Sequence, residues 1–478
     1  MDNQKLGLKK QLNPLSIWAL AFGCVIGWGS FINPGKKFLP NSGPAGTAIA
    51  MVLGALTMIV IAVSYSYMVP KCPVAGGEFS FTKKCYGKTA AFICGWFLIA
   101  AYLTNVPMNS TAIGLIVDGI FGPVLKWGFH YSIAGFEVWL GEIIVASGIL
   151  ILFGFLNIWG VKKAGFVQTI LAGLLIVSVF VLFVSALASP KASIDNLNPL
   201  WGFNKDVYKA SGAIQDSGIA SSILATFAIA PWAFVGFDTI PQAAEEFKFS
   251  HKRVIFIMVI AIVFGCFVYI ANNTIAAAAI ENYPEEIING SPWLLLTAAE
   301  KLLGPFGKVL VGIAVSCAVL SGIMGFYLAS SRLMYSMSNE GYLPKLFGKV
   351  DKKRSTPKNA IIFCMIISLS GPILGREALG WFVDMSSIGA SIGFFFTCIS
   401  AFKTMKVEKD GNLLMKIFAI IGATLSAGFM VLQLIPIPGL SGVRFSPQSY
   451  LMFGIWVVLG LAFFIYKRKD IFKKKQEE

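Results

Sequence analysis

Charge is scarce in this chain, and so is histidine. Only 13% of the 478 residues are Asp, Glu, Lys or Arg, and the two histidines, His130 and His251, both fall between apolar runs. A soluble globular domain carries about a quarter charged residues, so that class is excluded. No CxxC or clustered histidine offers a metal site. Of the eight cysteines, Cys24, Cys94, Cys266, Cys317, Cys364 and Cys398 lie inside apolar runs, while Cys72 and Cys85 share an inner loop, so no disulfide framework is expected. Nucleotide-binding motifs, HExxH and paired acids on adjacent runs are also missing, which sets an intramembrane enzyme far behind other readings. The two histidines are read as ordinary loop imidazoles.

What the chain has instead is apolar length. Hydrophobic residues make up 56% of it and its mean hydropathy is +0.73. A bilayer span needs about 20 such residues, and about twelve runs qualify: 15–40, 44–69, 89–121, 138–158, 164–188, 219–246, 254–280, 305–335, 358–374, 378–402, 414–436 and 449–466. The first run is too long and too interrupted for a cleaved signal peptide and is expected to be retained. With the N-terminus inside, about 29 of the 39 Lys and Arg fall on inner loops and about 10 on outer ones, as the positive-inside rule requires for an even number of spans. The +15 net charge is therefore assigned to topology and membrane lipid, not to nucleic acid, and the tail YKRKDIFKKKQEE is read as a solvated, lipid-facing basic end.

Two of these runs are broken. In the first, GCVIGWGSFINPG places Gly27, Gly29, Pro34 and Gly35 in quick succession around Ser30 and Asn33. Gly23 and Gly27 alone would suit a helix contact, but the whole series favours unwound backbone, tolerated at membrane depth only where it faces protein or a water-filled cavity. The sixth run carries a second interruption, Ala228-Ile229-Ala230-Pro231-Trp232-Ala233-Phe234-Val235-Gly236-Phe237-Asp238. Paired breaks at matching places in two halves point to an inverted-repeat transporter with its ligand between them. Free N–H groups at one half-helix suit a carboxylate, and free carbonyls at the other suit an ammonium, the two ends of an α-amino acid.

At these residues the chain resembles the amino acid–polyamine–organocation (APC) family of transporters. GCVIGWGSF is similar to the family's I-G-x-G-φ-F segment and AFVGFDTIPQAAEE to its F-x-G-F-D-x-x-x-x-x-A-E-E segment; Pro73–Phe79 (PVAGGEF), Gly160–Lys163 (GVKK) and Ser331–Tyr335 with Gly341–Pro344 match further motifs in order. The resemblance spans about residues 13 to 400. It implies an all-α membrane fold of about twelve transmembrane helices. Residues 1–14 would be a cytoplasmic segment, 15–188 a first five-span repeat and 189–218 an outer loop. A second inverted repeat would follow over 219–402, then two extra spans over 403–466 and the basic cytoplasmic tail 467–478. It also implies a plasma-membrane location, a bacterial one given the short loops, and a rocking of the first, second, sixth and seventh spans against the rest.

The resemblance likewise implies roles. Backbone N–H groups of Trp28 and Gly29, with Ile26, Gly27 and Ser30 beside them, would meet a substrate carboxylate, and carbonyls of Val25, Trp232 and Val235, with Ala233 adjacent, its ammonium. Trp232 would close over the ligand. Asn105 and Met108 would read its side chain, although an interhelical hydrogen bond accounts for Asn105 equally well. Trp28 stands where the family carries a small residue, so it either points away or shrinks the pocket toward small substrates. Leu175 occupies a position where some proton-coupled members carry Lys. Asp238 would stabilise the second half-helix or gate it. Glu245 and Glu246 would pair with Lys248, Lys252 or Arg253 or close an inner gate, and Arg332 would snorkel or lock that gate. Asp384 would favour a cationic substrate if it faced the cavity, and Glu142 is placed near a membrane boundary. Gly23 carbonyls with Ser321 would form a sodium site if either served beyond packing. No cofactor is expected beyond a coupling ion, sodium or proton, and exchange stays open. The function expected is secondary transport of a small or neutral amino acid. Alternatives are a cationic amino acid or polyamine transporter on the same fold, or a receptor that binds without transport. Oligomeric state is not read from the sequence.

Overall fold

Long apolar stretches with no polar partners for their backbone must satisfy it internally, and in lipid that means helices. The computed structural model describes residues 7–133, 135–290, 293–375, 378–435 and 445–472, and it is all-α apart from one two-stranded hairpin. Residues 473–478 of the basic tail lie outside this set, as do residues 1–6 of the N-terminal segment.

Among the described residues nine helical stretches are long and apolar enough to cross a bilayer. One of them, Pro14–Lys71, runs 58 residues, well beyond the roughly 20 that one crossing takes, and it is two spans joined at non-helical backbone at Gly43. Two further crossings are the sixth, broken into Ile219–Phe227, Ala230–Phe234 and Thr239–Gln242, and the ninth, Lys358–Leu374. Twelve crossings are thus counted among the described residues. The side of the bundle on which the first span begins at Pro14 is called here the N-terminal face and the other the far face.

Several boundaries differ from the sequence expectation. The third span begins at Gly77, not 89, because PVAGGEF is the entry to the helix Gly77–Phe121, which bends at Gly87. The eighth runs on to Asn339 and the tenth to Val407. Residues 138 and 139 belong to the hairpin His130–Ile133 with Phe136–Trp139 that precedes the fourth span. Two far-face loops contain helices that apolar windows do not report, Lys205–Ser211 and Leu294–Leu303.

The third span packs along its length against the tenth and the eighth, and the first sits among the fifth, seventh and eighth with the sixth crossing it. The twelfth is mostly exposed, as suits a lipid-facing helix, and is held by Trp456 stacked on Trp96 at 4.7 Å. All eight cysteines are free. His130 stacks on Trp139, and His251 lies against Phe247 with its Nε2 3.1 Å from the Ala244 carbonyl.

Candidate substrate site between the two broken helices

The first span is helical over Pro14–Ile26 and resumes at Gly29. Between them Gly27 takes φ +39°, left-handed backbone that an L side chain rarely adopts. The N–H groups of Gly27 and Trp28 donate to no backbone carbonyl. In the sixth span the chain unwinds after Phe234: Val235 is extended and Gly236 has φ +136°. The Val235 carbonyl accepts no backbone hydrogen bond.

The two breaks touch. A Cβ on Gly236 would lie 2.6 Å from the Val25 backbone nitrogen and from Cys24 Cβ, so only glycine permits this crossing. Gly29 is as tightly placed, since a Cβ there would run into the indole of Trp232.

Around the crossing is a small cavity of about 10 Å³, the room of one water molecule. Its wall brings together Val25, Gly27, Trp28, Gly29, Asn105, Met108, Trp232 and Val235. Ile26, Ser30 and Ala233, expected as contacts, are buried behind the wall and do not line it. Ser30 instead donates to the Gly27 carbonyl and accepts from Asn272 Nδ2 at 3.1 Å. Four wall residues were missed: Cys24, Asn109, Tyr269 and Phe326. Asn109 could have been found, standing one turn after Asn105; Tyr269 and Phe326 carry no local signal.

Trp28 does not point away. It is 6% exposed, tilts against Trp232 with centroids 6.1 Å apart and takes up cavity volume. Its Nε1 and Asn109 Oδ1 are buried without partners, one donor and one acceptor on wall residues. Asn105 combines both roles weighed for it, lining the cavity while its Nδ2 donates to Ser386 Oγ of the tenth span at 2.6 Å. No charged side chain belongs to the wall.

The residues expected to gate sort along the sixth span. Asp238 Oδ1 accepts from the Gly236 N–H at 2.7 Å, capping the break. Glu246 pairs with Arg332 of the eighth span, Nε to Oε1 2.8 Å and Nη2 to Oε2 3.4 Å, with both side chains buried. Neither Glu245 nor Glu246 pairs with Lys248, Lys252 or Arg253 among the described residues. Glu245 Oε1 accepts the Leu8 N–H at 3.0 Å, and Gln11 and Leu12 donate to the Glu246 carbonyl. The N-terminal segment is thus stitched onto the end of the sixth span.

The proposed sodium position is filled by protein. Gln168 of the fifth span reaches between Gly23 and Ser321, its Nε2 donating to the carbonyls of Ala19 at 3.2 Å and Ser321 at 3.4 Å. Asp384 is away from the cavity wall, interacting with Ser446, Ser449 and Lys37. Glu142 is in the first turn of its helix, near a boundary. No group of three or more His, Cys, Asp or Glu that could hold a metal occurs among the described residues. The pentapeptide Gly389-Ala390-Ser391-Ile392-Gly393 has the GxSxG spacing, but Ser391 lies mid-helix, buried, and donates to the Ser387 carbonyl, without the strand-to-helix turn that exposes a nucleophile.

A helical membrane protein whose two interrupted spans cross around a small cavity without charged lining has the build of a carrier. The family model for amino acid permeases matches residues 12–463, and the chain belongs to that family. Human large neutral amino acids transporter small subunit 2 is 28% identical over 76% of this chain, which spans only 64% of that relative's length. Two proteins of Bacillus subtilis are similar over nearly their whole lengths: the branched-chain amino acid permease BcaP, 26% identical over 97% of this chain and 94% of its own, and the methylthioribose transporter, 23% identical over 98% and 95%.

Proposed function

We propose that this chain is a secondary transporter that moves a neutral amino acid across the plasma membrane by alternating access, as a symporter or exchanger. The observation that carries the reading is the cavity wall. It offers unpaired N–H groups at Gly27 and Trp28 for a carboxylate, an unpaired carbonyl at Val235 for an ammonium, and no charged side chain. Uncharged surroundings disfavour a lysine, arginine or polyamine, whose second charge would be desolvated without a partner. The relatives are named for large neutral and branched-chain amino acids and for methylthioribose, substrates that share neutral side groups, so the substrate is read as small or neutral, the size limit set by Trp28.

The N-terminal face is assigned to the cytoplasm from the Lys and Arg count and the cell to a bacterium from the short loops, and the two breaks support the five-plus-five division. In this reading the Arg332–Glu246 pair closes the N-terminal side and the Trp28–Trp232 contact the far side. The Gln168 amide stands among carbonyls that a sodium ion would use, which favours a cycle without sodium. Purified protein in liposomes loaded with unlabelled L-leucine or L-alanine should take up the labelled amino acid by counterflow, equally in sodium and in choline. Uptake of L-arginine or putrescine alone would refute the neutral reading. Thermal stabilisation by these amino acids without any uptake would favour a receptor.

A further inference from the structure

Between the cavity and the N-terminal face lies a second polar cluster that substrate contact leaves unused. Glu78, in the first turn of the third span, and Asp238, just past the sixth-span break, are both fully buried. One phenol joins them: the Tyr102 hydroxyl is 2.9 Å from Asp238 Oδ2, 3.3 Å from the Asp238 carbonyl oxygen and 3.2 Å from Glu78 Oε1. Tyr65 of the second span donates to Glu78 Oε1 at 2.8 Å, and Gln242 Nε2 lies 2.5 Å from Glu78 Oε2.

The titratable groups facing the pair are Tyr65 of the second span, Tyr102 and Cys94 of the third and Cys24 of the first; Thr82, Thr239 and Gln242 supply the remaining polar contacts. None is a cation. Among the described residues no Lys, Arg or His comes within ion-pair distance of either carboxyl, and Arg332, the buried cation farther along, is paired with Glu246. Tyr102 has a single proton and can donate to only one of its acceptors at a time. Two bare negative charges buried side by side without a cation cost far more than these neutral hydrogen bonds return.

The Gln242 contact is an independent sign. A separation of 2.5 Å is short for N–H···O and falls in the range of O–H···O. The other end of the same amide, Oε1, is buried without a donor. Which end is oxygen is assigned from hydrogen bonding, and with the amide turned over its oxygen accepts from a protonated Glu78.

We propose that Glu78 and Asp238 together hold one exchangeable proton and form the coupling site of a proton-driven cycle. This rests on the transporter reading above. The proton is bound as O–H on one carboxyl and passes to the other when Tyr102 gives its proton to one side and accepts from the other; no other bond changes. Asp238 caps the Gly236 N–H next to Val235, which lines the cavity, so the acceptor of the proton is tied to the wall of the candidate substrate site. Asp238, Gln242 and Glu246 follow at four-residue intervals toward the N-terminal face. Losing the proton sets two charges against each other across Tyr102 and pushes that part of the sixth span off the third, toward the lock at Arg332.

The test uses the full chain in liposomes and labelled L-leucine, comparing accumulation driven by an acid-outside pH gradient with counterflow at equal pH. Wild type should accumulate leucine under the gradient and lose that accumulation to a protonophore. In Glu78→Gln the ratio of gradient-driven to counterflow uptake should fall about five-fold or more, the low end of ordinary coupling. Tyr102→Phe, which keeps the ring and loses the shared hydroxyl, should move the pH optimum, and it serves if the Gln variant does not fold. Gradient responses of wild-type size in both variants, or wild-type counterflow that ignores the gradient, would overturn the proton site alone. Absence of counterflow for every amino acid would instead refute the transporter reading and the site with it.

Discussion

On the N-terminal side of the cavity the closure is polar and directional. Arg332 reaches Glu246 with two hydrogen bonds, Leu8 and Glu245 add a third, and residues 11, 12 and 248 exchange backbone hydrogen bonds between the N-terminal segment and the sixth span. On the far side it is aromatic: Trp28 leans on Trp232, and Trp293 Nε1 donates to the Phe31 carbonyl beside a cavity of about 370 Å³. Directional contacts in a dry interior are lost together once their geometry fails. Ring contacts slide, giving up a little at a time. In the proposed cycle the first side would therefore open as a unit and the second would admit a ligand by small rotations.

Removing one partner of the directional side should have the largest effect. Arg332→Ala leaves Glu246 buried without its cation, a loss of about 3–5 kcal/mol. Cys24 lines the cavity and reports which side is open. In a background with Cys72 and Cys85 changed to Ser, a membrane-impermeant maleimide applied from the N-terminal side should label Cys24 in Arg332→Ala and spare it in the parent. Transport should be lost. An apolar pair, Arg332→Met with Glu246→Met, should restore much of the stability without the transport, since the lock would no longer release. Unlabelled Cys24 in Arg332→Ala would mean the N-terminal side does not depend on this pair.

Gly29→Ala attacks the far side by crowding it. The added methyl meets the Trp232 indole, and overpacking of this kind costs about 1–3 kcal/mol. Uptake should fall steeply while membrane expression holds, and Trp232→Ala in the same chain should recover part of it; independent, additive losses would disprove the contact. Gly27→Leu should also abolish uptake, but through the left-handed backbone, since a Cβ there meets nothing within 4 Å, and Trp232→Ala should not rescue it.

Trp232→Ala alone should be milder. It removes the lid and leaves the backbone groups, so the apparent KM should rise about ten-fold, equivalent to about 1.4 kcal/mol, with the turnover at saturation less affected. An unchanged KM would take Trp232 out of the closure.

The sequence carried the breaks clearly, because Gly27, Gly29, Pro231 and Gly236 are backbone facts written in the residue type itself. What it left open depends on which helix stands opposite. Nothing near Glu246 announces Arg332, which is 86 residues away, and the local lysines are the more obvious partners. Gln168 carries no sequence signal of its place, because Ala19, Gly23 and Ser321, which close around it, come from the first and eighth spans. Glu78 was legible as part of an inner-loop motif but not as a buried acid, because the helix begins twelve residues earlier than the apolar run. Asn105 fell on the wall where the family resemblance put it, whereas Ile26, Ser30 and Ala233 were carried in by adjacency, and adjacency along a helix changes face at every residue.

The smallest effect should come from the outermost polar contact of the N-terminal face, which isolates burial as the cause of the difference between the two closures. Asp410, in the loop before the eleventh span, accepts from Lys71 Nζ at 2.6 Å and from the Tyr67 hydroxyl, and Lys71 also meets Glu408. The Lys71 ammonium, with Tyr67 second, holds the Asp410 carboxyl below its usual range. A depressed carboxyl contributes stability above its unfolded value and loses it as pH falls through the folded one, so any contribution exists at neutral pH and fades below about pH 4. Exposed pairs of this kind contribute little. Asp410→Asn should leave transport and the melting temperature at pH 7 nearly unchanged, and what difference from wild type there is should vanish at pH 3. A loss at pH 7 comparable with that of Arg332→Ala would show that position on the N-terminal face, and not burial, sets the strength of its contacts.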